Sequence, residues 1–105
     1  MKVRPMAKLT VVYWRDIPAQ VIAKEKRNAA KLVLTERFEK AIDRAAMRSG
    51  ARETDAYLAE WRRGEPTNCG DDLDAEAAAM AARLEAEFDD ARLAALVASG
   101  GREES

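Results

Sequence analysis

The sequence predicts a small α+β domain in which an N-terminal antiparallel sheet is packed by helices. Three observations lead to this fold class. Residues 8–34 contain short segments of alternating apolar and polar residues, rich in β-branched and aromatic side chains, as strands are. After residue 35 the apolar residues recur every three or four positions, as they do on one face of a helix. The 105 residues are enough for one domain, and no apolar run approaches the ~20 residues of a membrane span.

The first part of the chain predicts a β-hairpin or a three-stranded sheet. Residues 8–14 alternate as a strand does, and residues 15–18 (RDIP) predict a turn, because Asp bonds nearby backbone amides and Pro fixes φ. Residues 19–24 predict a second strand, followed by a charged connector over residues 24–28. Residues 29–34 (AAKLVL) fit either a third strand or the first turn of a helix.

The first predicted helix begins and ends with clear signals. Thr35 is a favourable N-cap, and Glu36 and Glu39 lie in the first turn, where the helix dipole favours acids. Gly50 stands where a glycine commonly ends a helix.

Two further helices are expected after residue 50. A short helix over residues 54–62 is closed by Gly64, and residues 65–70 (EPTNCG) predict a loop. Residues 71–98 predict a long acidic helix, in which Asp89-Asp90 marks a bend or a break.

The predicted domain covers residues 8–98, with a flexible leader over residues 1–7 and a frayed tail over residues 99–105. Much of the apolar content is alanine, so the core must rest on a few large side chains. The expected core residues are Leu9, Val11, Tyr13, Ile22, Leu32, Leu34, Phe38, Ile42, Leu58, Trp61, Leu84 and Phe88.

The composition argues against an enzyme. The chain has no histidine, which is the commonest general base near neutral pH, so no catalytic pair or zinc site can contain one. The single cysteine cannot form an internal disulfide, which fits a reducing compartment. Phosphate-binding glycine loops are absent. We therefore expect no catalytic residues, no metal site and no cofactor; an enzyme alternative would use carboxylates with Tyr13 or Tyr57 in a pocket.

The charge is divided unevenly along the chain. Residues 1–63 contain 15 Lys and Arg against 8 Asp and Glu, whereas residues 64–105 contain 3 against 11. One interpretation is that the acidic half packs against the basic half; the other is that a basic face is kept for an acidic partner.

Two short segments are candidate contact sites. In Trp14-Arg15-Asp16-Ile17-Pro18, a tryptophan and an arginine lie at a bend, and both types are enriched in interface hot spots. The alternative is a plain turn with Trp14 folded over the hairpin. Trp61-Arg62-Arg63 could stack a base and hold phosphate, but Trp61 is in helical register with Tyr57 and Leu58, which favours a core position.

The remaining polar groups are expected to be structural. Cys69 precedes a helix start but has no nearby base, so an incidental or buried cysteine is favoured over a reactive one. Asp71, Asp72 and Asp74 lack the spacing of a calcium loop and are expected to cap the long helix.

Three segments resemble the small bacterial virulence factor domain family in its stand-alone form: TVVYWRDIPAQVIAK (10–24), LTERFEKAIDRAAMRSG (34–50) and TDAYLAEWRRG (54–64). This resemblance covers about half of the chain and includes no catalytic signature. It implies an accessory role near corrinoid-dependent methyl transfer and folate-linked one-carbon metabolism.

Together these observations predict a cytoplasmic, non-enzymatic adaptor that docks on a larger protein, such as a component of a methyltransferase system. The expected contact residues are Trp14, Arg15, Ile17, Lys24, Lys26, Arg27, Arg62 and Arg63. The alternative is a small nucleic-acid-binding protein that uses Lys24, Lys26, Arg27, Lys31 and Arg37.

Overall fold

The computed structural model describes residues 7–51 and 55–103. Within these residues it confirms the α+β class. The strands are β1 (Ala7–Trp14), β2 (Ile17–Glu25), β3 (Asn28–Val33), β4 (Trp61–Arg63) and β5 (Thr67–Cys69), and the helices are α1 (Glu36–Arg48), α2 (Asp55–Ala59), α3 (Leu73–Glu87) and α4 (Asp90–Ala98). The strands form one antiparallel sheet in the order β3-β2-β1-β4, and β5 pairs with the same edge of β1 as β4.

The β1–β2 hairpin turns at Arg15 and Asp16 alone, so the predicted turn is too long by two residues. Arg15 has φ 55°, as the first loop residue of a tight hairpin turn requires. Ile17 and Pro18 already belong to β2. Pro18 cannot donate to a ladder, and it lies where the register between β1 and β2 shifts, which is where a strand tolerates proline.

The ambiguous segment at residues 29–34 is the third strand. Glu25 pairs with Asn28 across a second two-residue turn, in which Lys26 has φ 54°. From there β3 follows β2 in regular register to Val33. The sheet therefore ends at β3 on one side.

The prediction of a helix over residues 54–62 is wrong in its second half. Helix α2 ends at Ala59, and Trp61–Arg63 form the short strand β4 along β1. Gly64 does not cap a helix: its N–H donates to the Val11 carbonyl at 2.7 Å. Residues 61–63 are spaced as on a helix, but they form a strand because they pair with the edge of β1 that β2 leaves free. Thr54, the expected start of the helix, lies outside the described residues.

The long acidic helix is divided where Asp89-Asp90 suggested a break. Helix α3 ends at Glu87, and the Asp89 side chain caps α4 by accepting from the Arg92 N–H at 2.8 Å. Asp72 caps α3 in the same way through the Ala75 N–H, which confirms the capping role for one of the three acids. No helix in the described part of the chain is long and apolar enough to cross a bilayer.

Helix α1 begins at the predicted cap residue but is held by a different contact. The Thr35 side chain makes no cap hydrogen bond within its own helix. Instead, its N–H and hydroxyl both donate to the Glu85 carboxylate of α3, at 2.8 and 2.9 Å. Gly50 follows the helix with φ 75°, as predicted.

The core lies between one face of the sheet and the helices α1, α3 and α4. Most of the predicted core residues are buried or partly buried, but Leu58 (67% exposed), Leu32 (38%) and Trp61 (36%) are not core residues. Leu58 lies on the short helix α2, none of whose residues is buried, and Leu32 lies on the edge strand β3. Four of the five largest fully buried side chains were not predicted to be in the core: Trp14, Ile17, Pro18 and Val21.

The C-terminal residues are docked, so the prediction of a frayed tail is wrong for residues 99–103. Gly100 and Gly101 are buried, and the Gly101 carbonyl accepts from the Asp16 N–H at 2.8 Å. This carbonyl supplies a partner to a turn amide that would otherwise face solvent. Residues 104–105 and the predicted leader up to residue 6 lie outside the described residues, and Ala7 already belongs to β1.

Candidate protein-docking surface

The β1–β2 turn, the first candidate contact site, is enclosed by other parts of the fold. The Trp14 and Ile17 side chains are fully buried, and Trp14 Nε1 donates to the Tyr57 carbonyl at 2.9 Å. The Arg15 side chain is 13% exposed and donates to the Gly100 carbonyl at 2.8 Å. Trp14, Arg15 and Ile17, expected as contact residues, are instead covered by the fold, because they join the hairpin to α2 and to the C-terminal segment.

Arg62 belongs to the same structural network. Its Nε donates to the Arg15 carbonyl at 2.8 Å, and its guanidinium forms a 3.2 Å ion pair with Asp16. The guanidinium also lies 4.5 Å from the centre of the Tyr13 ring. The other Asp16 oxygen accepts from the Glu103 N–H at 2.6 Å. Arg62 therefore serves mainly to hold the turn in place.

One face of the sheet, opposite α3, is left without a helix over most of its area. In an antiparallel sheet, residues that are paired across strands share a face and alternate along each strand. Leu9, Val21 and Ala23 belong to the core cluster, so their neighbours along the strands point the other way. This second surface, which we call the open face, contains Lys8, Thr10, Val12, Gln20, Ile22, Lys24, Ala29, Lys31, Val33, Arg63 and Asn68.

The open face carries four cationic residues and no carboxylate. Lys8 donates to Asn68 at 2.6 Å. Lys24, Lys31 and Arg63 are exposed and form no ion pair within residues 7–51 and 55–103. Of the aliphatic side chains on this face, Ile22 is 7% exposed and Val12 is half-buried, whereas Ala29 and Val33 (72%) on the edge strand are exposed. The surface thus combines exposed cations with apolar groups that are accessible mainly along β3.

The acidic half of the chain neutralises only part of the basic half. Arg37 is the clearest case: its guanidinium pairs with Glu85 at 3.1 Å and Asp90 at 3.2 Å, and also donates to the Phe88 carbonyl at 2.6 Å. The packing of the acidic half against the basic half therefore holds for Arg37, and a basic face kept for an acidic partner stays a prediction. Arg37 is used within the fold, which removes it from the proposed nucleic-acid set, whereas Lys24, Lys31 and Arg63 form no ion pair within the described residues.

The hairpin end of the open face adds two more predicted contact residues. Lys26 and Arg27 form the β2–β3 turn and are exposed. They lie next to Lys24 in the sequence and at the opposite end of β2 from the Arg15 turn. The structure thus groups Lys24, Lys26 and Arg27 together, as expected, and separates them from Trp14, Arg15 and Ile17.

An open cleft of about 730 Å³ lies where the open face meets α1 and α2. Tyr57 and Trp61 line it in an edge-to-face arrangement, with ring centres 6.0 Å apart. Glu36, Glu39 and Asp43 of α1 also line the cleft. A cleft with several carboxylates and a tyrosine meets the requirement of the enzyme alternative, which therefore stays a prediction. Trp61, expected in the core, is accessible here instead.

Cys69 has no arrangement that would activate it. It is half-buried in β5, and burial raises the pKa of its thiol, which the carboxylates Glu76 and Glu25 raise further. A raised pKa reduces the thiolate fraction, which is the reactive form. Among the described residues no group of three or more acidic or thiol side chains is arranged to hold a metal ion.

The Glu85 carboxyl has a pKa below its ordinary value. Partial burial alone would raise this pKa, but the two hydrogen bonds from Thr35 and the Arg37 guanidinium lower it by more. Because hydrogen bonds and a cation stabilise the charged form, Glu85 acts as an ionised bridge between α3 and α1. This role is structural.

A match to a known protein family covers most of these features. The family described as virulence factor matches residues 12–97. The chain belongs to this family. The matched region runs from the end of β1 into α4 and includes most of the open face and the whole cleft. No curated protein and no solved structure matches the chain.

Register explains which surface residues the sequence analysis missed. Lys8 was assigned only to the first strand, and Lys31 only to the nucleic-acid alternative. Lys31 pairs with Ile22, and Lys8 pairs with Lys24, so both join the predicted Lys24 on one face. The sequence places a lysine in each of three neighbouring strands. Whether these lysines share a face can be decided only when the register of the strands is known.

Proposed function

We propose that the protein is a non-enzymatic accessory subunit that docks on a larger cytoplasmic protein through the open face. The supporting observation is the combination on this face of Lys8, Lys24, Lys31 and Arg63 with exposed aliphatic groups and no carboxylate. Complementary charge guides association and selects the partner, and apolar groups contribute the area that is buried. The partner surface is therefore acidic.

The family resemblance gives this proposal a biochemical setting. Stand-alone proteins that resemble this one suggest an accessory role beside corrinoid- and folate-dependent methyl transfer. We propose that the partner is a component of such a methyltransferase system. The basic face would then dock an acidic surface of that component while the chemistry takes place on the partner.

Affinity capture with matched charge variants tests docking. We expect the wild-type protein to recover a stoichiometric partner from the native organism, and the identity of that partner tests the metabolic setting. Lys31→Glu should abolish recovery, because it reverses an exposed charge on the β3 side of the open face. Arg83→Glu is the control, since Arg83 lies on α3 and is 69% exposed. Equal recovery by both variants, or no stoichiometric partner for the wild type, would contradict the proposal.

Nucleic acid is the second candidate, supported by the exposed cations Lys24, Lys26, Arg27 and Lys31. Single-stranded nucleic acid is usually held by several stacked aromatic rings as well as by charge. The open face offers accessible aromatic rings only at its end, where Tyr57 and Trp61 line the cleft. Fluorescence anisotropy with short RNA and DNA decides: binding at low salt that weakens steeply as salt rises supports this candidate, and absence of binding at low salt eliminates it.

A further inference from the structure

Strand β3 is an unpaired edge of the sheet with hydrogen-bonding groups that point away from the fold. Within residues 7–51 and 55–103 it pairs only with β2, and five of its six residues are exposed. The Leu34 N–H donates to the Ala19 carbonyl, so the even-numbered residues bond inward. Because bonding alternates along an antiparallel strand, the N–H and C=O groups of Ala29, Lys31 and Val33 face outward.

This edge lacks most of the features that proteins use to prevent pairing with another chain. Edges are commonly blunted by proline, by a bulge, by several charges or by a covering segment. Strand β3 contains no proline, and its register with β2 is regular over all six pairs. Its single charge is Lys31. The edge is thus competent to accept an additional strand of similar length.

The side chains around the edge indicate what kind of strand would fit. Lys31 points to the open face, next to Lys24 of β2 and close to the Lys26-Arg27 turn. On the other side of the strand, Leu32 is 38% exposed. A strand placed beside β3 would have its open-face side chains beside Ala29, Lys31 and Val33, with Lys24 one strand further in, and its intervening side chains beside Ala30 and Leu32. Acidic residues placed to reach Lys31 and the neighbouring cations, alternating with apolar residues, satisfy both sides.

A second copy of the protein fits this edge poorly. Pairing of two β3 strands must match outward-bonding residues with each other. The antiparallel register with the most outward-bonding pairs places Lys31 opposite Lys31, with Ala29 opposite Val33 on either side. Like charges directly opposite each other destabilise a strand pair, so the edge favours an acidic partner over self-association.

We propose that the β3 edge binds an acidic, extended segment of the partner protein as an added strand, with Lys31 and Lys24 selecting its acidic residues. This inference rests on the proposed docking function and adds its mode of binding. Strand addition supplies main-chain hydrogen bonds for affinity, while alternate side chains provide selectivity. The bound segment would extend the sheet beyond β3 and enlarge the open face.

Peptide binding to the intact protein tests the mode of binding. The probe is a short peptide in which Glu and Val alternate, and a peptide in which Lys and Val alternate is its control. In an NMR titration we expect the Glu peptide to slow amide exchange at Ala29, Lys31 and Val33, which bond to no strand in the unbound protein. The inward amides of Ala30 and Leu32 should change little. No protection at millimolar Glu peptide, or equal binding of the Lys peptide, would overturn the inference.

Two proline variants separate strand addition from general attraction by charge. Ala29→Pro removes an outward N–H and should keep the fold while weakening peptide binding at least tenfold. Ala30→Pro removes an inward N–H and should instead disrupt the pairing of β2 with β3. Undiminished peptide binding by a folded Ala29→Pro protein refutes strand addition. If Ala29→Pro binds the peptide normally but recovery of the partner still depends on Lys31, then docking on the open face stands and strand addition does not. If short RNA, and not the Glu peptide, protects the outward amides of β3, then the ligand of this edge is nucleic acid and not an acidic segment.

Discussion

Gly101 offers the sharpest test of how the C-terminal segment is held. Its φ is 95°, and a Cβ at this position would lie 2.9 Å from Trp14 Cζ3 and 3.4 Å from the Arg15 Cβ. The Trp14 ring cannot move into solvent, because it is fully buried and its indole N–H is hydrogen-bonded. Gly101→Ala therefore combines backbone strain with overpacking.

Gly50→Ala is the matched control for this substitution. Gly50 has φ 75°, but a Cβ there would meet no atom within 4 Å. The left-handed conformation costs alanine about 1–2 kcal/mol at either site. Overpacking adds about 1–3 kcal/mol at Gly101 only. We expect Gly50→Ala to lower the free energy of unfolding by the backbone strain alone. Gly101→Ala should lower it by the backbone strain and the overpacking together.

Urea unfolding followed by tryptophan fluorescence measures both variants. Equal m-values would show that the same surface is exposed on unfolding, so the midpoints can be compared directly. A Gly101→Ala protein within about 0.5 kcal/mol of the wild type would behave as a surface substitution does. That result would refute the docking of residues 99–103 against the β1–β2 turn. Equal losses for both variants would refute the contact with Trp14.

Two further predictions concern titrating groups. The pKa of Glu85 is lowered in the folded protein. At pH values above the ordinary pKa of about 4.3, its charged form therefore stabilises the fold. This stabilisation is lost as the pH falls through the lowered pKa. Urea unfolding at a series of acidic pH values should therefore show a smaller loss of stability for Glu85→Gln than for the wild type, and identical losses would disprove the link. Cys69, whose pKa is raised, should react with a disulfide reagent more slowly than a free thiol at the same pH, and Glu76→Gln should speed the reaction. A wild-type rate above that of the free thiol would contradict this account.

Local sequence signals were enough to predict the parts of the fold that local contacts form. The first hairpin, α1 between Thr35 and Gly50, and the break at Asp89 all follow from turn, cap and periodicity signals within a few residues. Strand β4 has only three residues, and its conformation is decided by its pairing with β1. Its helical spacing was therefore misleading, and Trp61 was placed in the core.

The candidate surface was only partly predictable for the same reason. Lys24, Lys26 and Arg27 were identified by charge alone, and they are exposed as expected. Trp14 and Ile17 were misplaced because the turn is shorter than the RDIP segment suggests and because distant residues cover it. That cover comes from Tyr57 and Gly101, whose proximity no local pattern encodes.

The docking of Gly101 beside the first turn also has a consequence for how the chain folds during synthesis. Strand β1 is made early and can pair at once with β2, but its other edge must wait for residues 61–69. The turn at Arg15 and Asp16 is completed only when residues 100–103 have left the ribosome. Contacts of such long sequence separation slow folding. The nascent hairpin therefore exposes Trp14 until residues 100–103 are available, and it exposes the unpaired edge of β1 until residues 61–69 are available. A chaperone would be of most use during this interval.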